Sequence, residues 1–230
     1  MKDFFKNVLA TVLGMFLFSA ICFGFMMMSI IGMIAASDTE TKLKDNSVLT
    51  INLSGVINEK ASTDYLGFLS GDAVENSGLN DILMAIKKAK NNDEIKGIYI
   101  EAGPLGAGFY TLQEIRNALA DFKKSGKWIV AYGDTYSQGS YYVASVANHI
   151  YLNPEGQVDW HGLASQPYYI KDLAAKFGVK YQVAKVGTFK SATETYTETK
   201  MSDANRLQVS LYLNGLWANV CKAVSESRKI

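Results

Sequence analysis

Three stretches of this sequence hold residues whose type and spacing could do chemistry, and each follows a segment that reads as a strand. The first, Gly103-Pro104-Leu105-Gly106-Ala107-Gly108, has three glycines and could turn backbone N–H groups toward an anion or oxyanion. Its spacing is not that of a dinucleotide-binding loop, and Pro104 interrupts it, so a turn chosen for backbone freedom is the plainer reading. The second, Gly133 to Tyr142, places Ser137 and Ser140 ahead of a run of small residues. A serine at a helix N-terminus gains from the dipole and the free N–H groups, yet both serines serve equally as N-caps. The third, Gly187-Thr188-Phe189-Lys190-Ser191-Ala192, sets Lys190 just past an apolar stretch, where it could be half-desolvated. Lysine starts at a pKa of about 10.4, and bringing it near 7 takes about three units, or roughly 4 kcal/mol, which burial can supply. Such a neutral amine could deprotonate a serine hydroxyl. Taken alone, Lys190 reads more readily as an ordinary surface lysine.

Other reactive residue types are scarce. The sequence has two histidines, His149 and His161, which leaves few candidates for a Ser-His-Asp triad. Both read as structural, His149 opening a strand and His161 beside Trp160 in a turn-like stretch. Cys22 lies in an apolar run and Cys221 in a polar helix, so no disulfide framework is expected, and no CxxC or His/Cys cluster suggests zinc. Glu194 and Glu198 sit on a polar segment and read as a solvated face. With 23 basic and 22 acidic residues the net charge is +1, which lacks the basic excess expected of a nucleic-acid partner.

These loops need a scaffold, and hydrophobic periodicity supplies one. Strands are expected at Val48–Leu53, Ile95–Ile100, Trp128–Tyr132, His149–Leu152 and Tyr181–Val186. Between them, helices are expected over Leu79–Lys90, Thr111–Lys124, a short small-residue stretch at 139–147, and Tyr169–Phe177. A long helix from about Asp203 to Ser227 follows, and residues 60–78, rich in Ser, Gly and Asp, read as a long loop. Strands alternating with helices predict an α/β domain with a mainly parallel sheet, whose functional groups gather at the C-terminal ends of the strands.

The N-terminus is of a different kind. From Asn7 to Ser37 no residue is charged, a run long enough to span a bilayer core of about 30 Å as one helix. Lys2 and Lys6 precede it, whereas the residues after it are nearly balanced in charge. The positive-inside rule then places the N-terminus in the cytoplasm and Asp38 onward across the membrane. Ala35-Ala36-Ser37 offers a signal-peptide cleavage site, but cleavable apolar regions are usually about 7–15 residues, so an anchor is the reading taken. The expected organisation is 1–7 cytoplasmic, 8–37 transmembrane anchor, 38–47 stalk and 48–230 one globular domain.

In combination the loops carry a resemblance. Tyr136-Ser-Gln-Gly-Ser-Tyr-Tyr142, Ala147-Asn-His-Ile-Tyr-Leu-Asn-Pro154 with Val158-Asp-Trp-His-Gly162, and Val186-Gly-Thr-Phe-Lys-Ser-Ala192 resemble segments of the signal peptide peptidase A (protease IV) family. Its members are membrane-bound Ser/Lys peptidases with a ClpP/crotonase-like fold. More narrowly, residues 48–230 look like the N-terminal half of the long two-domain form, whose first half supplies the catalytic lysine and whose second supplies the serine. The resemblance puts the general base at Lys190. It supplies no nucleophile: aligning Gly139, Tyr141 and Tyr142 on the family's Ala-Ser-Gly-Gly-Tyr-Tyr motif leaves Gln138 where the serine should be. Ser137 is one position off, a turn of roughly 100° on a helix.

The resemblance implies a peptidase acting on signal-peptide remnants and other membrane-associated peptides, without metal or organic cofactor. It also implies self-association and a place in the inner (cytoplasmic) membrane, with the domain on the periplasmic side. On this reading the nucleophile is expected downstream of Ile230. Two rivals stand beside it: a non-catalytic oligomeric scaffold of the same fold, and an acyl-CoA enzyme of the crotonase type. The anchor and the lysine motif speak against the latter.

Overall fold

The computed structural model describes residues 1–37, 43–61 and 78–230, so residues 38–42 of the expected stalk and 62–77 of the expected loop lie outside the described residues. The chain divides into two units, Met1–Lys44 and Asp45–Ile230. The first unit is one helix, α1 (Lys2–Ser37). It takes in Lys2 and Lys6 as well as the uncharged run, because helical hydrogen bonding does not stop where hydrophobicity does. Its apolar stretch, Lys2–Gly32, has 31 residues. That is about 46 Å of helix against a hydrocarbon core of about 30 Å, and a helix of this length and composition fits a single membrane pass.

In the second unit, four strands form a parallel sheet in the order β1 (Ser47–Val56), β2 (Ile95–Gly106), β3 (Trp128–Tyr136) and β4 (His149–Val158). Parallel neighbours need crossovers, and helices α2 (Leu79–Asn91), α3 (Phe109–Lys123) and α4 (Gln138–Ala144) provide them. Ile82, Ile86 and Ala89 of α2 and Leu112, Ile115, Leu119 and Phe122 of α3 recur at helical spacing. They pack with Leu53, Ile98, Ile100, Ile129 and Ala131 of the sheet into one core. Each Ile, Leu or Phe among them contributes about 1.5–3 kcal/mol by leaving water. The ammonium of Lys127 closes the C-terminus of α2, donating to the carbonyls of Ala89, Lys90 and Asn92 at 2.8, 3.1 and 2.6 Å. There it meets the negative end of the helix dipole.

After β4 come α5 (Lys171–Lys176), a 3-10 turn (Ser191–Thr193), α6 (Glu194–Thr197) and the long α7 (Asp203–Arg228). Arg116 of α3, 6% exposed, ties α7 to the rest. Its Nη1 donates to the Tyr142 carbonyl (2.7 Å) and Ser145 Oγ (2.6 Å), and its Nη2 to the Ala223 carbonyl (2.5 Å) and Ser227 Oγ (2.6 Å). The guanidinium also lies 4.9 Å from the centroid of the Tyr142 ring.

Two expectations are corrected. The glycine-rich stretch at 103–108 is not mainly a loop: β2 continues through Gly106, because β1 continues beside it past a register shift, pairing Gly55 with Leu105 and Val56 with Gly106. Pro104, with no N–H to give, sits beyond the last β2–β3 pair, Ala102 with Gly133. The strand expected at Tyr181–Val186 does not form within this chain. β propensity is realised only against a partner strand, and no described residue pairs with this segment.

Candidate active site

β3 delivers the chain to the N-terminus of α4, where Ser137 is the N-cap and Ser140, in the first turn, bonds back to it. Ser137 Oγ accepts from the Ser140 N–H at 3.3 Å and from the Leu105 N–H of β2 at 3.4 Å. Ser140, fully buried, donates its hydroxyl to the Ser137 carbonyl at 3.1 Å. No histidine or lysine hydrogen-bonds to either serine among the described residues.

Between them, Gln138 reaches the loop after β4. Its Oε1 accepts from the N–H of Gly162 at 2.8 Å and of His161 at 3.3 Å, while Nε2 donates to the Gly162 carbonyl at 3.3 Å. Gly162 has φ +87°, a conformation glycine adopts at little cost. The clamp holds Trp160 edge-on to Tyr141, ring centroids 5.4 Å apart, and against Trp217 of α7 at 5.2 Å. The residue that the resemblance aligns with the family's serine is thus a backbone-binding carboxamide.

Lys190 directly precedes the 3-10 turn and is exposed. Its side chain is exposed among the described residues, not half-desolvated as expected. Among the described residues no hydrogen bond or ion pair involves its side chain. The turn is fastened from the far side. Glu194 is not on a solvated face as expected but 4% exposed, accepting from Ser202 Oγ (2.6 Å), the Ser202 N–H (3.2 Å) and Asn205 Nδ2 (3.0 Å) at the start of α7. Ser202 in turn caps α7 by accepting from the Asn205 N–H at 3.1 Å. The cap is visible in the sequence as Ser202-x-x-Asn205, but its carboxylate partner eight residues upstream is not.

Desolvation pushes the Glu194 carboxyl up, but hydrogen bonds from Ser202 and Asn205, helped by Lys185, outweigh it and hold the pKa below the usual value. A lowered folded pKa contributes stability above the ordinary carboxyl range, about 4.3, and that contribution is lost as pH falls through the folded value. Glu194→Gln should therefore lower stability by about 1–3 kcal/mol at neutral pH. The gap to the parent should narrow as pH falls below about 4.3. Urea unfolding across that range measures it, and a gap that stays constant would show that the charge is not what matters.

The histidines are apart from this chemistry. His161 Nδ1 lies 2.8 Å from Asp159 Oδ1 on the surface, and His149 stacks on Tyr151. A polar groove of about 240 Å³ opens at the C-terminal ends of β1–β3, lined by Asn52, Ser54, Glu101, Tyr132 and Asp134 among others. Among the described residues, no group of three or more His, Cys, Asp or Glu could hold a metal ion.

Comparison with known proteins bears on this arrangement directly. Residues 121–230 match Peptidase family S49. The Salmonella typhi protein named Protease 4 is 41% identical over 191 residues, covering 79% of this chain and 31% of its own length. Protease 4 of Haemophilus influenzae is 34% identical over 215 residues, covering 90% and 35%. The Arabidopsis thaliana protein named Serine protease SPPA, chloroplastic, is 28% identical over 188 residues, covering 81% and 26%. The chain spans roughly a third or less of the length of these relatives. Among solved structures, an enoyl-CoA hydrotase/isomerase family protein from Silicibacter pomeroyi aligns over 81% of this chain and 87% of its own at 12% identity. Its TM-score of 0.34 is too low to carry an argument. The family match runs through both the Gln138 clamp and the Lys190 turn, so residues 121–230 belong to Peptidase family S49.

Proposed function

We propose that this chain is the lysine-bearing part of a membrane-bound Ser/Lys peptidase that degrades cleaved signal peptides and other membrane-associated peptides. Lys190 is its general base. The amine takes the proton of a serine hydroxyl as that oxygen attacks the scissile carbonyl, then hands it to the leaving amine as the C–N bond breaks. Water hydrolyses the acyl-enzyme. The chemistry needs no metal or organic cofactor, and the serine comes from outside residues 1–230. Residues 1–7 are cytoplasmic, 8–37 span the inner membrane, 38–47 form a stalk, and 48–230 lie on the periplasmic side as a self-associating domain.

The observation that carries the reading is Gln138. A carboxamide cannot be the nucleophile, and this one is engaged with His161 and Gly162. Beside it, Ser137 caps the helix and the Ser140 hydroxyl is engaged with the Ser137 carbonyl. The exposed amine of Lys190 suits a base whose serine arrives from elsewhere.

A fluorophosphonate probe, which reacts with activated serines, tests this in the full-length protein. Labelling should map to one serine outside residues 1–230, with none inside. Labelling at Ser137 or Ser140 would overturn the register and make this stretch a self-sufficient peptidase. Gln138 also favours a second reading, a non-catalytic ClpP/crotonase-like oligomeric scaffold, and a full-length protein that takes no probe at any serine would support that one.

A further inference from the structure

The chain approaches Lys190 along a segment that does little to place it. Among the described residues no hydrogen bond uses the backbone of residues 180–186, and Gly187 then turns the chain at φ +98°. Beyond Lys190 the backbone is helical, the 3-10 turn Ser191–Thr193 running directly into α6 (Glu194–Thr197). Across these two elements the one buried residue is Glu194. The backbone that carries the amine is therefore held from its C-terminal side. There the Thr195 carbonyl accepts from the Ile170 N–H at 2.8 Å, the Tyr196 ring meets that of Tyr181, and Glu194 takes three hydrogen bonds from the start of α7.

Those three bonds call for a carboxylate. The Ser202 N–H, the Ser202 hydroxyl and Asn205 Nδ2 all donate to Glu194, while Ser202 Oγ itself accepts from the Asn205 N–H. An ionised carboxyl group is acceptor-only and satisfies all three. A carboxamide has a single acceptor oxygen, so its nitrogen would face a donor or the Ser202 hydroxyl would have to turn its proton away. The hold also reaches the core. Arg116 ties α7 to α3 and α4, so the contacts run unbroken from the Lys190 turn to the helix that carries Gln138.

Glu194 does not act on the amine itself. The cation that acts on its carboxylate is Lys185, and among the described residues no ion pair joins it to Lys190. An exposed lysine on a flexible stem has only its backbone placed in advance. A general base must come within about 2.6–3.2 Å of the hydroxyl it deprotonates, and a misplacement of about 1 Å can cost about 10² in rate. We propose that Glu194 is a positioning residue for Lys190, fixing through the 3-10 turn and α6 where the amine is held for the incoming serine. The inference rests on Lys190 being the general base.

Peptidase kinetics of the full-length protein on a fluorogenic apolar peptide, with rates counted per folded molecule, test it. Glu194→Ala should lower kcat by about 10² and leave KM within about threefold, because the placement of the base is lost and peptide binding is not. Fluorophosphonate labelling of the nucleophile should slow by the same factor. Glu194→Gln keeps the shape of the side chain and should fall in the same direction by less. It decides the question should Glu194→Ala fail to fold. In a Lys190→Ala background either substitution should cost less than about threefold more, since the position of an absent base cannot matter. A kcat within about threefold of the parent in the folded Glu194 variants would overturn the inference and leave the role of Lys190 standing. Equal losses with and without Lys190 would also overturn it, showing that Glu194 supports something other than the base. Full activity in Lys190→Ala alone would overturn the general-base reading, and this inference with it.

Discussion

Lys190→Ala in the full-length protein should lower peptidase activity by about 10²–10⁴, the usual cost of losing a general base. Lys200→Ala, which removes an exposed lysine ten residues away, should leave activity within about threefold, well short of that loss. The fold should survive, because the Lys190 side chain is exposed and makes no hydrogen bond or ion pair among the described residues. The turn that carries it is fastened instead through Glu194 to Ser202 and Asn205. Lys190→Arg separates base from charge: a guanidinium keeps the positive charge but does not deprotonate in proteins, so this variant should be as inactive as alanine. Fluorophosphonate labelling of the nucleophile should slow in parallel, since the same proton must leave the serine. Circular dichroism confirms folding. A folded Lys190→Ala protein within about threefold of the parent, or an active Lys190→Arg, would end the Ser/Lys assignment.

How much of this was legible in the sequence depends on where each partner lies. Strands β1 to β4 and helices α2, α3 and α7 were readable, because the periodicity that marks them is created by the core they build. Their ends were less so. β2 runs through Gly103 to Gly106 on the strength of pairing with β1, which hydropathy does not record. The composition of Tyr181–Val186 predicts a strand from local preference, and no described residue pairs with it. Gln138 was legible as a non-nucleophile but not as a clamp, because Gly162 is 24 residues away. Glu194 looked solvated for the same reason: a carboxylate on a polar segment is normally exposed, and its donors sit beyond the next turn. The desolvation expected of Lys190 is not a local property at all, since a loop lysine loses hydration only when another surface covers it.

Arg116 was the least legible residue, and its replacement should have the largest structural effect. On a helix an arginine normally faces water, and here the acceptors that bury it lie up to 111 residues away. Arg116→Ala removes the guanidinium's hydrogen bonds to the Tyr142 and Ala223 carbonyls and to the Ser145 and Ser227 hydroxyls, each worth about 1.5–3 kcal/mol as a bond to a charged group, although Ser145 Oγ still donates to the Tyr142 carbonyl at 2.8 Å. It also removes the contact with the Tyr142 ring and leaves a cavity. These costs share partners and do not add, so the expected loss is about 2–5 kcal/mol, as for truncating a long buried side chain to alanine. Set against a usual stability of about 5–15 kcal/mol, that is a large fraction. Arg116→Met keeps the packing of the stem and should lose less, whereas Arg116→Lys keeps the charge but cannot fork across α4 and α7. Burial lowers the pKa of this guanidinium while Tyr142 and Glu226 push it back up, and an arginine so placed stays charged near neutral pH. The loss should therefore not vary with pH there. Trp217 of α7 packs on Trp160, so tryptophan fluorescence during urea unfolding of the full chain reports the docking of α7. Amide exchange over Val220–Ser227 should accelerate in Arg116→Ala more than exchange in β2 or β3. If stability changed by less than about 0.5 kcal/mol, the range of ordinary surface substitutions, Arg116 would not be the tie between α3, α4 and α7.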